Sequence, residues 1–225
     1  MTTKPKNVKQ ILIVDDHPMM RNGLAQLIGN ERGLKVNGEA DNAAQAMKFL
    51  ATPPQEVDLV LCDISLPDKN GLELIKDIRA MHPELPILVV SMHDELIYAE
   101  RVLRAGGRGY IMKQEGGEKF IHAIRQVLSG QIYVSDKMSS RILEIFSGAG
   151  KNSSSSPVGK LSDREFEVFQ LIGQGMGTRD IAEKLHLSVK TVEVHRANIK
   201  AKLEIKTATD LVRCAVRWAD SQGGK

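Results

Sequence analysis

Side chains able to handle a phosphoryl group stand at the ends of successive short apolar runs. Asp15 and Asp16 follow Ile11-Leu12-Ile13-Val14, Asp63 follows Leu59-Val60-Leu61-Cys62, Ser91 follows Ile87-Leu88-Val89-Val90, and Lys113 follows Tyr110-Ile111-Met112. If these runs are buried parallel strands joined by helices, their carboxyl ends share one sheet edge, where open α/β folds bind ligands. Three carboxylates, a hydroxyl and an ammonium would meet there. The first and third strands of such sheets are commonly neighbours at the switch point of strand order, which brings Asp15, Asp16 and Asp63 together. Unpaired, these carboxylates would repel strongly. A hard divalent cation removes that penalty, and Mg²⁺ suits carboxylate and carbonyl oxygens with retained waters. With a phosphate donor's oxygens neutralised by such an ion, one aspartate oxygen is left as nucleophile, and Asp63, the solitary one, is the candidate. Lys113 supplies a point charge for one phosphoryl oxygen and Ser91 a hydroxyl donor for another. Singly, such residues are ordinarily caps, turn residues or solvated cations, so the inference rests on their conjunction.

The elements that must position these groups are legible as periodicity. Strand-sized runs near 10–15, 34–39, 58–62, 86–91 and 109–112 alternate with helical stretches near 18–29, 43–51, 71–81, 95–105 and 117–129. Five βα units predict a doubly wound, five-stranded parallel sheet with helices on both faces. The helices are amphipathic, through Leu24, Leu27 and Ile28, through Leu72, Ile75 and Ile78, and through Phe120, Ile121, Ile124 and Leu128. A mixed segment then runs to Phe146. Ser147-Gly148-Ala149-Gly150-Lys151-Asn152, four serines and Pro157 follow, a composition that cannot bury enough surface to offset its ordering entropy. The expected division is a first domain over 8–130, a linker over 131–159 and a second domain over 160–221.

Bulk properties agree with two domains. The 225 residues suffice for two modest cores. Residues 1–146 hold 18 Lys and Arg against 19 Asp and Glu, whereas 147–225 hold 13 against 9, so the overall +3 conceals a second part of +4. That excess suits contact with nucleic acid. Two cysteines, Cys62 and Cys214, read as small core hydrophobes in a reducing compartment, which makes the cytoplasm the expected location. No run is long enough for a membrane span or a signal peptide, so no membrane partner is expected.

From Leu161 the pattern predicts an all-α domain of four helices. Ser162-Asp163-Arg164-Glu165 has capping-box spacing, and Phe166, Phe169, Leu171 and Ile172 follow as buried positions. A second helix spans about Thr178 to Leu185, Ser188 caps a third running to about Leu203, and Thr207 to Ala219 forms a fourth. The second and third fit a helix-turn-helix, whose later helix enters the major groove. On that helix Val192, His195, Ile199 and Leu203 recur as the inward face. Lys190, Glu193, Val194, Ala197 and Ala201 lie opposite, with Arg196, Lys200 and Lys202 flanking. Slim side chains bordered by cations suit base edges between phosphates. Glu193 matches a cytosine amino group, Val194 a thymine methyl, and the Thr191 hydroxyl with the helix start a phosphate. The Leu211, Ala215 and Trp218 side of the fourth helix serves either a dimer contact or the bundle core.

Two resemblances sharpen this reading. Val14-Asp15-Asp16-His17, Asp63-Ile64-Ser65-Leu66-Pro67 with Gly71, Ser91-Met92 and Gly109-Tyr110-Ile111-Met112-Lys113 resemble the receiver domain of two-component response regulators across residues 10–130. Leu161-Ser162-Asp163-Arg164-Glu165, Ile181-Ala182, Leu187 through Arg196, and Lys202-Leu203 resemble the LuxR-type DNA-binding domain across 160–219. The whole is similar to NarL/FixJ-type response regulators. The resemblance implies a flavodoxin-like receiver in which a histidine kinase, or a small phosphodonor, phosphorylates Asp63. It implies that Asp16, Asp63 and the Ser65 carbonyl ligate Mg²⁺ with Asp15 acting largely through water, and that Ser91 and Tyr110 form a switch pair. It also implies that Glu193, Val194 and Ala197 face bases of double-stranded DNA, and that phosphorylation promotes a homodimer on paired half-sites.

Phosphorylation adds charge and three acceptor oxygens, so a hydroxyl can move inward and an aromatic ring follow it. His17 and His93 flank the pocket, where ordinary loop histidines are the simpler account. The chain is expected to be a regulator and not an enzyme: an aspartyl-phosphate phosphatase tends to need a second acid just after the nucleophile, where Ile64 and Ser65 stand here.

Overall fold

The computed structural model describes residues 8–52, 56–146 and 157–223, in two compact units that divide between Leu143 and Glu144. The Ser-rich stretch 147–156, expected to be linker, lies outside the described residues.

In the first unit β1 (Lys9–Val14), β2 (Leu34–Ala40), β3 (Leu59–Cys62), β4 (Ile87–Ser91) and β5 (Gly109–Met112) form one parallel sheet in the order β2-β1-β3-β4-β5. Residues 11–14, 59–62 and 87–90 are at most 2% exposed, the all-apolar signature of strands covered on both faces. The edge strand β2 alternates instead, carrying Lys35, Asn37 and Glu39. Helices α1 (Pro18–Gly29), α2 (Ala43–Ala51), α3 (Gly71–Met81), α4 (Glu95–Ala105) and α5 (Gly117–Leu128) connect and follow the strands. Leu24 and Ile28 of α1 and Phe120, Ile124 and Val127 of α5 pack with Ile11, Ile13, Leu59, Leu61, Leu88 and Val90 in one core cluster.

Register delivers the acidic groups to one place. Val14 pairs with Cys62, so Asp15 and Asp63 leave adjacent strands at the same height. The Asp63 amide donates to the Val14 carbonyl at 2.8 Å, and the Lys113 amide to the Ser91 carbonyl at 2.8 Å.

The segment after α5 departs from the expected linker. Tyr133 forms a parallel bridge with Gly109, accepting from the Tyr110 amide at 2.9 Å and donating to the Arg108 carbonyl at 3.0 Å. A helix, α6 (Asp136–Phe146), follows, with Met138 fully buried. The open edge of β5 and the β-prone Ile132-Tyr133-Val134 explain the added pairing. Gly109 permits the approach, since a Cβ there would lie 2.8 Å from the Tyr133 carbonyl oxygen. The first compact unit therefore continues past residue 130.

In the second unit a 3₁₀ turn (Pro157–Lys160) precedes α7 (Asp163–Gly173), α8 (Thr178–Lys184), α9 (Val189–Lys202) and α10 (Ala208–Gly223). Ser162 and Glu165 form the expected capping box. Phe166, Phe169, Ile181, Val192, Ile199, Leu211 and Ala215 are buried, and Trp218 meets Phe166 edge-on with centroids 5.4 Å apart. Of the two uses left open for that side of α10, bundle core is the one observed. His186, at φ +52° in the left-handed region, turns the chain between α8 and α9. Among the described residues no helix is long and apolar enough to cross a membrane.

Gly71 ties α3 to the strand end that carries Asp63: its amide donates to the Ile64 carbonyl at 2.8 Å, and a Cβ would overlap the Asp63 carbonyl oxygen. Gly71→Ala should therefore cost about 1–3 kcal/mol through backbone overpacking, measured by urea unfolding. An unchanged midpoint would contradict the close approach.

Candidate functional site

Asp15, Asp63, Ser91 and Lys113 are brought together at the carboxyl edge of the sheet by the order of β1, β3, β4 and β5. The Lys113 ammonium lies 2.6 Å from Asp15 Oδ2 and 2.8 Å from Asp63 Oδ2, with all three side chains at least nine-tenths buried. Asp63 Oδ1 accepts from the Ser65 amide at 3.2 Å. Asp16 is one-third exposed at the mouth, next to the mostly exposed His17 ring. Arg21 donates to the Asp15 carbonyl at 2.6 Å and so braces the β1–α1 turn.

One lysine serves two buried carboxylates, and the titration behaviour follows. Burial pushes the Asp63 carboxyl above its ordinary range and the Asp15 charge adds to this, while Lys113 and the Ser65 amide pull it back. Burial opposes the charge on Lys113, but the two carboxylates outweigh it and hold the ammonium above its usual value. Next to them the Cys62 thiol is raised by burial and by the same carboxylates, so it is an inert core group.

The donor set fits a hard divalent cation. One donor atom each from Asp15, Asp16, His17 and Asp63 lies within 4.8 Å of the others, with Asp16 Oδ1 2.7 Å from His17 Nδ1. Carboxylate oxygens gathered this closely are what a cation would satisfy.

Around the β4–α4 loop lie contacts that periodicity could not reveal. Ser91 is fully buried, and its Oγ accepts from the His93 amide at 3.3 Å. The Tyr110 ring is also fully buried, its hydroxyl donates to the His93 carbonyl at 2.7 Å, and burial raises that hydroxyl. His93 Nε2 lies 3.0 Å from Ser65 Oγ, and its ring stacks on Tyr98 at 4.8 Å. Burial and the nearby Lys113 charge hold its pKa below the ordinary histidine value. Glu95, buried in the first turn of α4, accepts from the Ser135 amide at 2.7 Å. Asp68 accepts from the Ala43 and Ala44 amides, both at 2.9 Å, and so caps α2 from the β3–α3 loop. None of these long-range partners has a local spacing signal.

On α9, Lys190, Glu193, Val194 and Ala197 are exposed, Val194 at 51%, while Val192 and Ile199 are buried beneath them. Thr191 donates its amide to Ser188 Oγ at 3.0 Å, and its hydroxyl lies 2.7 Å from the same atom. Arg196 and Lys200 are half-buried. The Lys202 ammonium bonds Glu165 Oε2 at 2.6 Å, joining the end of α9 to the capping box of α7. Burial opposes the Glu165 charge, yet Lys202 and Ser162 together hold its carboxyl below the ordinary range.

Residues 11–125 match the response regulator receiver domain family, and residues 159–215 match the luxR family of bacterial regulatory proteins. Oxygen regulatory protein NreC of Staphylococcus carnosus (strain TM300) is 34% identical over 212 residues, covering 92% of this chain and 97% of that protein. RcsB from Salmonella enterica serovar Typhimurium, solved bound to promoter rprA in the presence of phosphomimetic BeF3-, is similar with a TM-score of 0.66 and 26% identity, over 92% of this chain and 98% of that one. A structure of two RcsB dimers bound to two parallel DNAs gives 0.57 at 26% identity, over 92% and 97%.

Lys113→Met leaves Asp15 and Asp63 buried without their shared cation. In metal-free buffer at pH 7 it should lose about 3 kcal/mol of stability, measured by urea unfolding. The deficit should shrink on acidification, because protonating either carboxylate relieves the repulsion. Asp63 itself holds its proton more tightly folded than unfolded. Its contribution is therefore present below the ordinary carboxylate range and lost as pH rises through the raised value. A deficit constant with pH would contradict this electrostatic account.

Proposed function

The chain belongs to the response regulators that join a receiver domain to a LuxR-type DNA-binding domain, and on that premise we propose that phosphoryl transfer to Asp63 controls its dimerisation and sequence-specific DNA binding, and thereby transcription. The observation that carries this reading is the Lys113 ammonium bridging buried Asp15 and Asp63 at 2.6 and 2.8 Å. The donor is the phosphohistidine of a partner kinase or a small phosphodonor. An Asp63 oxygen attacks phosphorus, and the bond to the donor's leaving atom breaks with its electron pair remaining on that atom. Asp15, Asp16, Asp63 and the Ser65 carbonyl would hold Mg²⁺, which when bound neutralises phosphoryl oxygens. Lys113 holds one phosphoryl oxygen as a point charge, and Ser91 offers its hydroxyl to another. Tyr110, whose hydroxyl is held by the loop that follows Ser91, is the aromatic partner of that switch.

On the DNA side, α9 enters the major groove with Glu193, Val194 and Ala197 toward base edges. Lys190, Thr191, Arg196 and Lys200 act toward phosphates, whereas Lys202, expected among them, is held by Glu165. Paired domains gain affinity because the second contact is effectively intramolecular. The dimeric, DNA-bound RcsB assembly supports this arrangement by analogy. The cytoplasm is the compartment where a kinase and DNA are both met.

Incubation with a labelled small phosphodonor and Mg²⁺ should label the wild type, and Asp63→Asn should take up none. In a genomic DNA pull-down, phosphodonor should enrich specific fragments with the wild type and have no effect with Asp63→Asn, while Glu193→Ala should alter the recovered sequences. Lys190→Ala should weaken binding to all sequences alike and lower the salt dependence by about one phosphate contact. Labelling without any change in DNA recovery would overturn the coupling.

A further inference from the structure

His17 brings a nitrogen donor to an otherwise all-oxygen cluster. Its Nδ1 lies 2.7 Å from Asp16 Oδ1 and 3.3 Å from Asp15 Oδ1. With ligands about 2.1 Å from a six-coordinate cation, adjacent donors stand about 3 Å apart and opposite donors about 4.2 Å. The two short separations match adjacent positions of one such shell, and the 4.8 Å limit on all four donors is only slightly wider than its diagonal. The local backbone sets this up. The His17 amide donates to Asp15 Oδ1 at 2.9 Å and Pro18 starts α1, while the His17 ring takes no part in capping that helix.

The cluster gathers more acceptor oxygens than the imidazole has hydrogens to serve. A single hydrogen on Nδ1 can serve Asp16 Oδ1 at 2.7 Å or Asp15 Oδ1 at 3.3 Å, but not both. One cation would satisfy both oxygens and the nitrogen lone pair together. Imidazole adds little to a hard ion such as Mg²⁺ and much to the later first-row divalent ions. We propose that His17 Nδ1 is a further side-chain ligand of this pocket, making it a mixed nitrogen and oxygen site that favours ions such as Co²⁺ or Ni²⁺ over Mg²⁺ more strongly than its carboxylates alone would. The inference rests on the reading of the pocket as a divalent-cation site.

The test uses the full chain without an affinity tag. Calorimetric titration with MgCl₂ and CoCl₂ should show one site of each in the wild type, competing with one another, and none in Asp16→Asn. His17→Gln should keep Mg²⁺ affinity within a factor of about two while weakening Co²⁺ by about tenfold or more, the scale seen on disturbing metal-site ligation. Pulsed electron paramagnetic resonance of the Mn²⁺-loaded wild type should show coupling to one imidazole nitrogen that His17→Gln abolishes. A Co²⁺-to-Mg²⁺ preference untouched by His17→Gln, or no nitrogen coupling, overturns the proposal while leaving the Mg²⁺ pocket standing. Absence of Mg²⁺ uptake by the wild type overturns the underlying reading and this proposal with it.

Discussion

Two buried carboxylates share one ammonium at the end of the sheet, and the rest of the receiver unit exists in a form that allows this. Charges removed from water cost several kcal/mol each unless paired. Asp15 and Asp63 are therefore tolerated because Lys113 lies within 2.8 Å of both. That arrangement requires β1 and β3 to be neighbours, β5 to end at the same edge, and the strands between to be apolar on both faces. The compensation is incomplete, since the Asp63 carboxyl remains raised by burial and by Asp15. A site left short of positive charge invites a divalent cation, and with it a phosphoryl group whose added negative charge would otherwise be expelled.

The pocket is also joined to elements farther away. The loop after β4 begins at Ser91, receives the Tyr110 hydroxyl at the His93 carbonyl, and touches Ser65 through the His93 ring. Two residues on, Glu95 binds the Ser135 amide, immediately before α6. Asp63 is thus connected by hydrogen bonds through Ser65 to the His93 ring, two residues before Glu95 in the chain. In the second unit the corresponding organising contact is Lys202 on Glu165, which fixes the end of α9 to the start of α7.

Much of this was legible in the sequence for a physical reason. Parallel strands covered on both faces must be continuous apolar runs, so β1, β3 and β4 announced themselves, and the polar residues that ended them were conspicuous. Helices were readable because Leu24 and Ile28, or Phe120 and Ile124, recur at the period of one buried face. Capping at Ser162 was visible because its partner Glu165 is three residues away. What stayed hidden is long-range pairing without periodicity. The Tyr133 bridge depends on an open β5 edge and on Gly109, 24 residues earlier in the chain. The Lys202–Glu165 bond spans 37 residues, and Asp68 binds the first two amides of α2 beside the local Asn42 cap. His93 reads as an ordinary loop residue in the sequence, and its stacking on Tyr98 emerges only when α4 is in place.

The shared-charge pocket is tested most directly by following the Asp63 side-chain carboxyl with carbon NMR through a pH titration, first free of metal and then with Mg²⁺. The account predicts titration above the ordinary carboxylate range in the metal-free protein and a shift below it when Mg²⁺ is added. An Asp63 carboxyl that titrates at its ordinary value and ignores Mg²⁺ would contradict it.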